Sequence, residues 1–214
     1  MLLHLAATTI YRSKRTMASK LYFIYATMSS GKSMQLLSTA YNFSERQVPF
    51  ISIKPSVDTR DKSGKICSRC GFERDCTVFS PEENVFELIK AAKKEQKIDW
   101  VLVDEAQFLT EEQVDQLSDA VDFLDINVMC YGLRTDFKSH FFPGSKRLME
   151  IADTIDEIKS RCSCGRKTNI NARVSADGTV MLNGKQVEIG GNDRYTSLCR
   201  KCWKEKSGQI PNLD

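Results

Sequence analysis

Short uninterrupted apolar runs alternate with longer stretches in which apolar residues recur every three or four positions. The runs are Leu21–Tyr25 (LYFIY), Phe50–Ile53 (FISI), Trp100–Val103 (WVLV) and Asn127–Leu133 (NVMCYGL). Each is short and bounded by turn formers, which reads as a strand buried on both faces. Met34 to Glu45 carries a helical pattern. Ser80-Pro81-Glu82-Glu83 reads as a capping box with proline at the first helical position, ahead of Val85, Phe86, Leu88, Ile89 and Ala92 on one helix face. Thr110 to Gln113 caps another helix, which buries Val114, Leu117, Val121 and Leu124. Ser145 to Ala152 reads as helix and Ile155 to Lys159 as one more strand. Val57 to Ser80 has little periodicity and reads as a long loop, a kind of segment that is more often functional than idle. The strand–helix alternation predicts an α/β fold with a parallel sheet and a ligand site at the C-terminal strand ends.

The pattern stops after residue 160. Cys162 to Cys202 holds short β-like runs and the turn signals Asp177-Gly178 and Asn183-Gly184. This predicts a small second domain, too short to order itself without a staple. The chain divides into an N-terminal extension (1–19), a main domain (20–160), a small β-rich domain (161–206) and a tail (207–214). The extension has no acid and carries Arg12, Lys14 and Arg15. A start at Met17 is the preferred reading, with a transit peptide as the alternative.

Composition adds limits. The 214 residues are 41% hydrophobic and 28% charged, ordinary for a globular protein. A net charge of +3, from 31 basic and 28 acidic residues, is too balanced to argue for nucleic acid or membrane partners. No run approaches the ~18 apolar residues of a membrane span. Eight cysteines are many for this length. Four of them form tight pairs near the C-terminus, which favours metal binding in a reducing, cytoplasmic setting over a disulfide framework.

The chemistry concentrates in three places. First, strand Leu21–Tyr25 runs into Ala26-Thr27-Met28-Ser29-Ser30-Gly31-Lys32-Ser33 and then a helix, the order of a phosphate-binding P-loop. Loop amides and the helix dipole converge on one point. Lys32 would reach the outer phosphates of a bound ligand, and the Ser33 hydroxyl suits Mg²⁺. Ala26 stands where the motif has its first glycine. Second, Val101-Leu102-Val103-Asp104-Glu105 has the form of a Walker B strand. Asp104 suits Mg²⁺ through water, and Glu105 suits a general base.

Third, Cys162-Ser163-Cys164 and Cys199-Arg200-Lys201-Cys202 supply four thiolates for a tetrahedral Zn²⁺. Cys67, Cys70 and Cys76 lack a matching partner pair and read as loop thiols. Cys130 reads as a core residue. Gln186 to Tyr195 (QVEIGGNDRY), taken alone, reads as an exposed hairpin loop.

Together these pieces resemble the type II thymidine kinases. The matching segments are YATMSSGKS, DTR (58–60), VLVDEAQF (101–108), YGLRTDF (131–137), EIGGNDRY (188–195) and CRKC. They follow the family's order from Leu21 to about Trp203, and the Cys-x-Cys pair resembles the bacterial form. The resemblance implies a RecA-like P-loop domain with a zinc-held lasso. It makes Glu105 the base. It places ATP and Mg²⁺ on Ala26 to Ser33, Asp58, Arg60 and Asp104 to Gln107, which includes Ala106. It places deoxythymidine, and deoxyuridine as a competitor, on Met28, Phe108, Leu133, Phe137, Val187, Glu188, Ile189, Gly190 and Tyr195. It also implies a homotetramer. The rival is a zinc-ribbon P-loop ATPase acting on nucleic acid. It fits less well, because such motors generally pair two RecA-like domains and show a basic footprint.

Overall fold

The computed structural model describes residues 18–56, 64–175, 177–184, 186 and 194–212. Asp58, Arg60, Val187, Glu188, Ile189 and Gly190, together with most of the N-terminal extension, lie outside them.

A six-stranded sheet organises the larger lobe. Its strands are β1 (Leu21–Ala26), β2 (Phe50–Pro55), β5 (Thr77–Phe79), β6 (Trp100–Val103), β7 (Asn127–Leu133) and β8 (Thr154–Glu157), in the spatial order β5-β2-β6-β7-β1-β8. Every pairing is parallel. Parallel strands need covered faces, and side chains of alternate parity supply the cover. Leu21, Phe23, Val101, Val103, Val128 and Cys130 face one way. They pack on α2 (Val85–Glu95), α3 (Glu111–Leu124) and α4 (Pro143–Ile151) through Ile89, Leu117 and Leu148. Ile24, Leu102 and Tyr131 face the other way, onto Leu36, Leu37 and Ala40 of α1 (Lys32–Glu45). Each fully buried Val, Leu or Ile stabilises the fold by about 1.5–3 kcal/mol.

The chain leaves β1 toward β2, across β7 and β6, and later returns to β8 on the other side of β1. This topological switch opens a crevice at the carboxyl ends of β1, β7 and β6. The P-loop, Leu133 and Asp104 all sit there.

Two expectations are corrected. The stretch read as a long loop contains a hairpin, β3 (Lys65–Cys67) with β4 (Glu73–Asp75), and then the edge strand β5. The Ser80 box does not start a helix. Its reverse half forms, with Ser80 N–H donating to Glu83 at 2.5 Å, but the segment is a turn. Gln113 Nε2 donates to the carbonyls of Ser80, Pro81 and Glu83, occupying acceptors that a helix would use for its own ladder. Helix α2 starts later, capped by Asn84, whose side chain accepts from Glu87 N–H. The Thr110 capping box forms as expected, with both hydrogen bonds made.

The smaller lobe is built on an antiparallel ribbon, β9 (Ile170–Arg173) with β10 (Tyr195–Leu198), followed by α5 (Arg200–Lys206). Its core is small: Cys162, Ala172, Val180, Leu198 and Cys199, with Trp203 packed against them. Asp177-Gly178 makes the expected turn, with Gly178 at φ 84°.

Candidate active site

β1 delivers its chain into a loop that must reverse toward α1. Ser29 (φ 60°) and Gly31 (φ 84°) take left-handed backbone there, and Gly31 caps α1 without a side-chain bond. A glycine cap supplies no side chain to the first turn of α1, which is the arrangement found at anion-binding helix starts. Lys32 folds over the loop, its Nζ donating to Thr27 O at 2.9 Å.

Beside the loop lies a cleft of about 420 Å³, within the size of small-molecule sites. Ser29, Ser30, Gly31, Lys32 and Ser33 form one wall. Asp104 and Glu105, at the end of β6, form another, and Met28 and Leu133 line it as well. Asp104 is only 5% exposed, anchored by its N–H on Ile53 O at 3.1 Å. Glu105 turns left-handed at φ 51°, so the two neighbouring acids leave the strand in different directions. Ala106 and Gln107 are buried behind the cleft, and Ala26 and Thr27 back the loop.

The hairpin forms the far wall. Cys67, Ser68, Arg69 and Cys70 line the cleft, and Arg69 Nη1 donates to Ser29 Oγ at 2.7 Å. Lys32 and Arg69 bring two cations to one cavity. Sequence reading missed Arg69, because nothing local marks a hairpin tip as facing a loop forty positions upstream.

The apolar residues assigned to the nucleoside divide into groups. Met28 and Leu133 reach the cleft. Phe137 and Tyr195 share Arg173, which was also missed. Arg173 is almost fully buried, its guanidinium 3.9 Å from the Phe137 ring centroid. Its Nε and Nη2 donate to the Tyr195 hydroxyl at 3.0 and 2.6 Å. Phe108, in the 3₁₀ turn Ala106–Phe108, packs edge-on to Phe142.

The two thiol pairs do converge. The Sγ atoms of Cys162, Cys164, Cys199 and Cys202 all lie within 4.8 Å of one another, with Cys164 and Cys199 at 3.5 Å. Four sulfurs at about 2.3 Å from a tetrahedral Zn²⁺ would stand about 3.8 Å apart, so the donor set fits that ion. A tight turn presents the first pair, with Gly165 N–H donating to Cys162 O. The start of α5 presents the second, where Cys199 Sγ accepts from Cys202 N–H. Backbone N–H groups of Cys164 and then Cys199 hold the Cys162 thiol down at about 6, while the thiols of Cys164 and Cys199 push Cys202 up to about 12. A divalent cation would remove that competition by ionising all four. Among the described residues, no other cluster of His, Cys, Asp or Glu has metal-binding spacing. Burial pushes the Cys130 thiol up and keeps it neutral, as a core residue should be. No helix among the described residues is long and apolar enough to cross a membrane.

Comparison with known proteins bears on this arrangement. The family described as "Thymidine kinase" matches residues 19–203. A thymidine kinase of Haemophilus influenzae is 49% identical over 192 residues, covering 90% of this chain and 100% of that protein. One from Mannheimia succiniciproducens is 46% identical over 194 residues (91% and 100%), and one from Rhodopirellula baltica 48% over 201 residues (92% and 95%). With a parallel sheet, a P-loop cleft and a four-cysteine lobe already in place, this likeness over nearly the full length settles the family: the chain belongs to the thymidine kinases.

Proposed function

We propose that this protein transfers the γ-phosphate of ATP to the 5′-hydroxyl of deoxythymidine, making thymidine monophosphate in the cytoplasm for DNA precursor salvage. The observation that carries the reading is the cleft itself, where P-loop, Asp104 and Glu105 meet. Phosphoryl transfer needs positioning and charge neutralisation more than covalent help. The P-loop amides and Lys32 hold the triphosphate, with Lys32 exchanging Thr27 O for a phosphate oxygen. Arg69 adds a second positive charge from the hairpin. Ser33 and Asp104 are the residues that would hold Mg²⁺, which when bound supplies charge neutralisation between the outer phosphates. Glu105 orients the acceptor hydroxyl and takes its proton.

The division at 160/161 separates a catalytic lobe from a cysteine-held lobe. Asp58 and Arg60 act near the phosphates. Val187 to Gly190, with Tyr195, cover the base, while Met28, Phe108, Leu133 and Phe137 wall it. Covering the acceptor excludes water and suppresses simple hydrolysis. Deoxyuridine, lacking only the base methyl, competes as acceptor. The active form is a homotetramer.

Incubation with ATP and deoxythymidine should yield thymidine monophosphate. ATP with single-stranded DNA should release no phosphate above background. The reverse pattern would replace the kinase by a nucleic-acid-stimulated ATPase.

A further inference from the structure

The P-loop is gripped from outside its own lobe. Asn171 on β9 and Ser197 on β10 are direct cross-strand partners in the ribbon. Both reach the same residue, Met28. Asn171 Oδ1 accepts from Met28 N–H at 2.7 Å, and Ser197 Oγ donates to Met28 O at 2.7 Å. The second half of the Asn171 amide is also used: its Nδ2 donates to Thr135 O at 2.9 Å, just beyond β7. Asn171 is 3% exposed, so these bonds form away from competing water.

A second tether lies one residue earlier. The Thr27 hydroxyl is 3.0 Å from Thr168 Oγ1, 3.1 Å from Ser160 Oγ and 2.9 Å from Ser30 Oγ. Thr168 leads into β9, and the N–H of Asn169 donates to Leu198 O at 3.0 Å, which ties this tether to the ribbon as well. The loop therefore contributes two successive residues to the smaller lobe, while its own turn at Ser29 and Gly31 is conformationally unusual.

We propose that Asn171 and Ser197 are positioning residues for the triphosphate. By fixing both backbone groups of Met28, the ribbon sets the direction of the amides that follow, so ATP affinity depends on the ribbon being held together. The physical reason is preorganisation. A loop already fixed in its binding shape loses less entropy when the phosphates arrive. The ribbon's own order comes from the four-cysteine cluster, because Leu198 adjoins Cys199 and both pack on Cys162 and Ala172. The cysteine lobe thus acts on the phosphate site through two polar side chains, without touching ATP. The inference rests on the reading of the P-loop as the ATP site.

The test is binding of a non-hydrolysable ATP analogue with Mg²⁺ by calorimetry, without nucleoside. Zinc content and far-UV circular dichroism are recorded on the same samples. Ser197→Ala and Asn171→Ala should each keep wild-type zinc content and helicity and bind the analogue up to about tenfold more weakly, the span of one lost hydrogen bond. Ser197→Thr, which keeps the hydroxyl, should restore binding. In steady state the loss should appear in KM for ATP more than in KM for deoxythymidine. Chelating zinc from the wild type should weaken analogue binding, and chelating it from the Asn171→Ala/Ser197→Ala variant should weaken it little further, because coupled changes do not add.

Wild-type affinity in both single variants overturns the proposal. So does an equal loss on chelation in wild type and double variant. If Asn171→Ala does not fold, Ser197→Ala decides alone. Lys32→Ala is measured beside them: unchanged analogue binding there would instead remove the P-loop from the ATP site and leave the grip on Met28 without that role.

Discussion

The Gln107 amide nitrogen donates to a Glu105 carboxylate oxygen at 2.5 Å, and the Gln107 amide oxygen accepts from Leu133 N–H at 2.9 Å. The second bond fixes which end of the amide faces Glu105. Gln107 is 1% exposed, so its orientation is locked by packing as well. The side chain thus aims the carboxylate from behind the cleft. Gln107→Leu, which keeps bulk and removes the donor, should lower kcat by roughly 10–100-fold, the worth of one hydrogen bond to a charged group. KM for ATP should stay near the wild-type value. Steady-state kinetics at saturating deoxythymidine would check this.

Glu105→Gln keeps the shape of the proposed base and loses its proton-accepting charge. Turnover should fall by about 10²–10⁴, the range for general base catalysis. Binding of ATP and deoxythymidine, measured by calorimetry, should remain near normal. Near wild-type turnover at saturating substrates would pass the role of base to Asp58.

Gly132→Ala should damage the same element without touching the cleft. A Cβ at Gly132 would stand 2.9 Å from Gln107 Oε1 and 3.0 Å from Gln107 N, the latter being backbone. One of the two residues must shift, so the Leu133–Gln107–Glu105 chain misaligns. The expected result is a fall in kcat comparable to that of Gln107→Leu, with a stability loss of about 1–3 kcal/mol from overpacking. Urea denaturation and kinetics on one preparation would separate the two effects.

Lys32→Ala should weaken ATP binding about tenfold or more, because a charge-assisted contact to phosphate is lost. It should also lower kcat, since the proposed mechanism keeps Lys32 on the phosphates throughout transfer. Deoxythymidine binding should change little. Equilibrium binding of each substrate alone would show the split.

Cys199→Ser should lose zinc and the order of the smaller lobe. Cys199 is 3% exposed and belongs to both the thiol cluster and the lobe's small core. Structural zinc contributes about 10–16 kcal/mol in small domains, at least as much as the lobe's few core side chains. Metal analysis should fall from one ion per chain to near none. Hydrogen exchange at Ala172 and Leu198 should accelerate, while β6 and β7 stay protected. A well-ordered lobe without zinc would refute the assignment.

Where local physics decides, the sequence is readable. Trp100–Val103 and Asn127–Leu133 lie in mid-sheet, buried on both faces, so their apolar runs mark them with the observed boundaries. The Thr110 box is equally local. The hairpin is not: Glu73-Arg74-Asp75 forms a strand with no apolar alternation, held by pairing with Lys65–Cys67. The Ser80 box misleads because Gln113, thirty-three positions on, takes the turn's carbonyls. The same limit applies to the site. P-loop, Asp104-Glu105 and cysteine pairs announce themselves by spacing. Asn171, Arg173 and Ser197 are ordinary strand residues, and only the docking of the ribbon gives them partners in the other lobe.

The chain has two tryptophans, and the fold puts one in each lobe. Trp100 begins β6, its ring 5.1 Å from that of Phe43 and 5.9 Å from that of Tyr22. Trp203 follows the last cysteine and packs on the thiol core, its buried indole N–H without a hydrogen-bond partner among the described residues. The molecule therefore carries two built-in optical reporters with separate surroundings. A Trp100→Phe version would have tryptophan emission only from the smaller lobe, so that emission would follow metal uptake and release. A Trp203→Phe version would report the sheet alone, and the difference between their melting curves would measure how far the two lobes come apart as one.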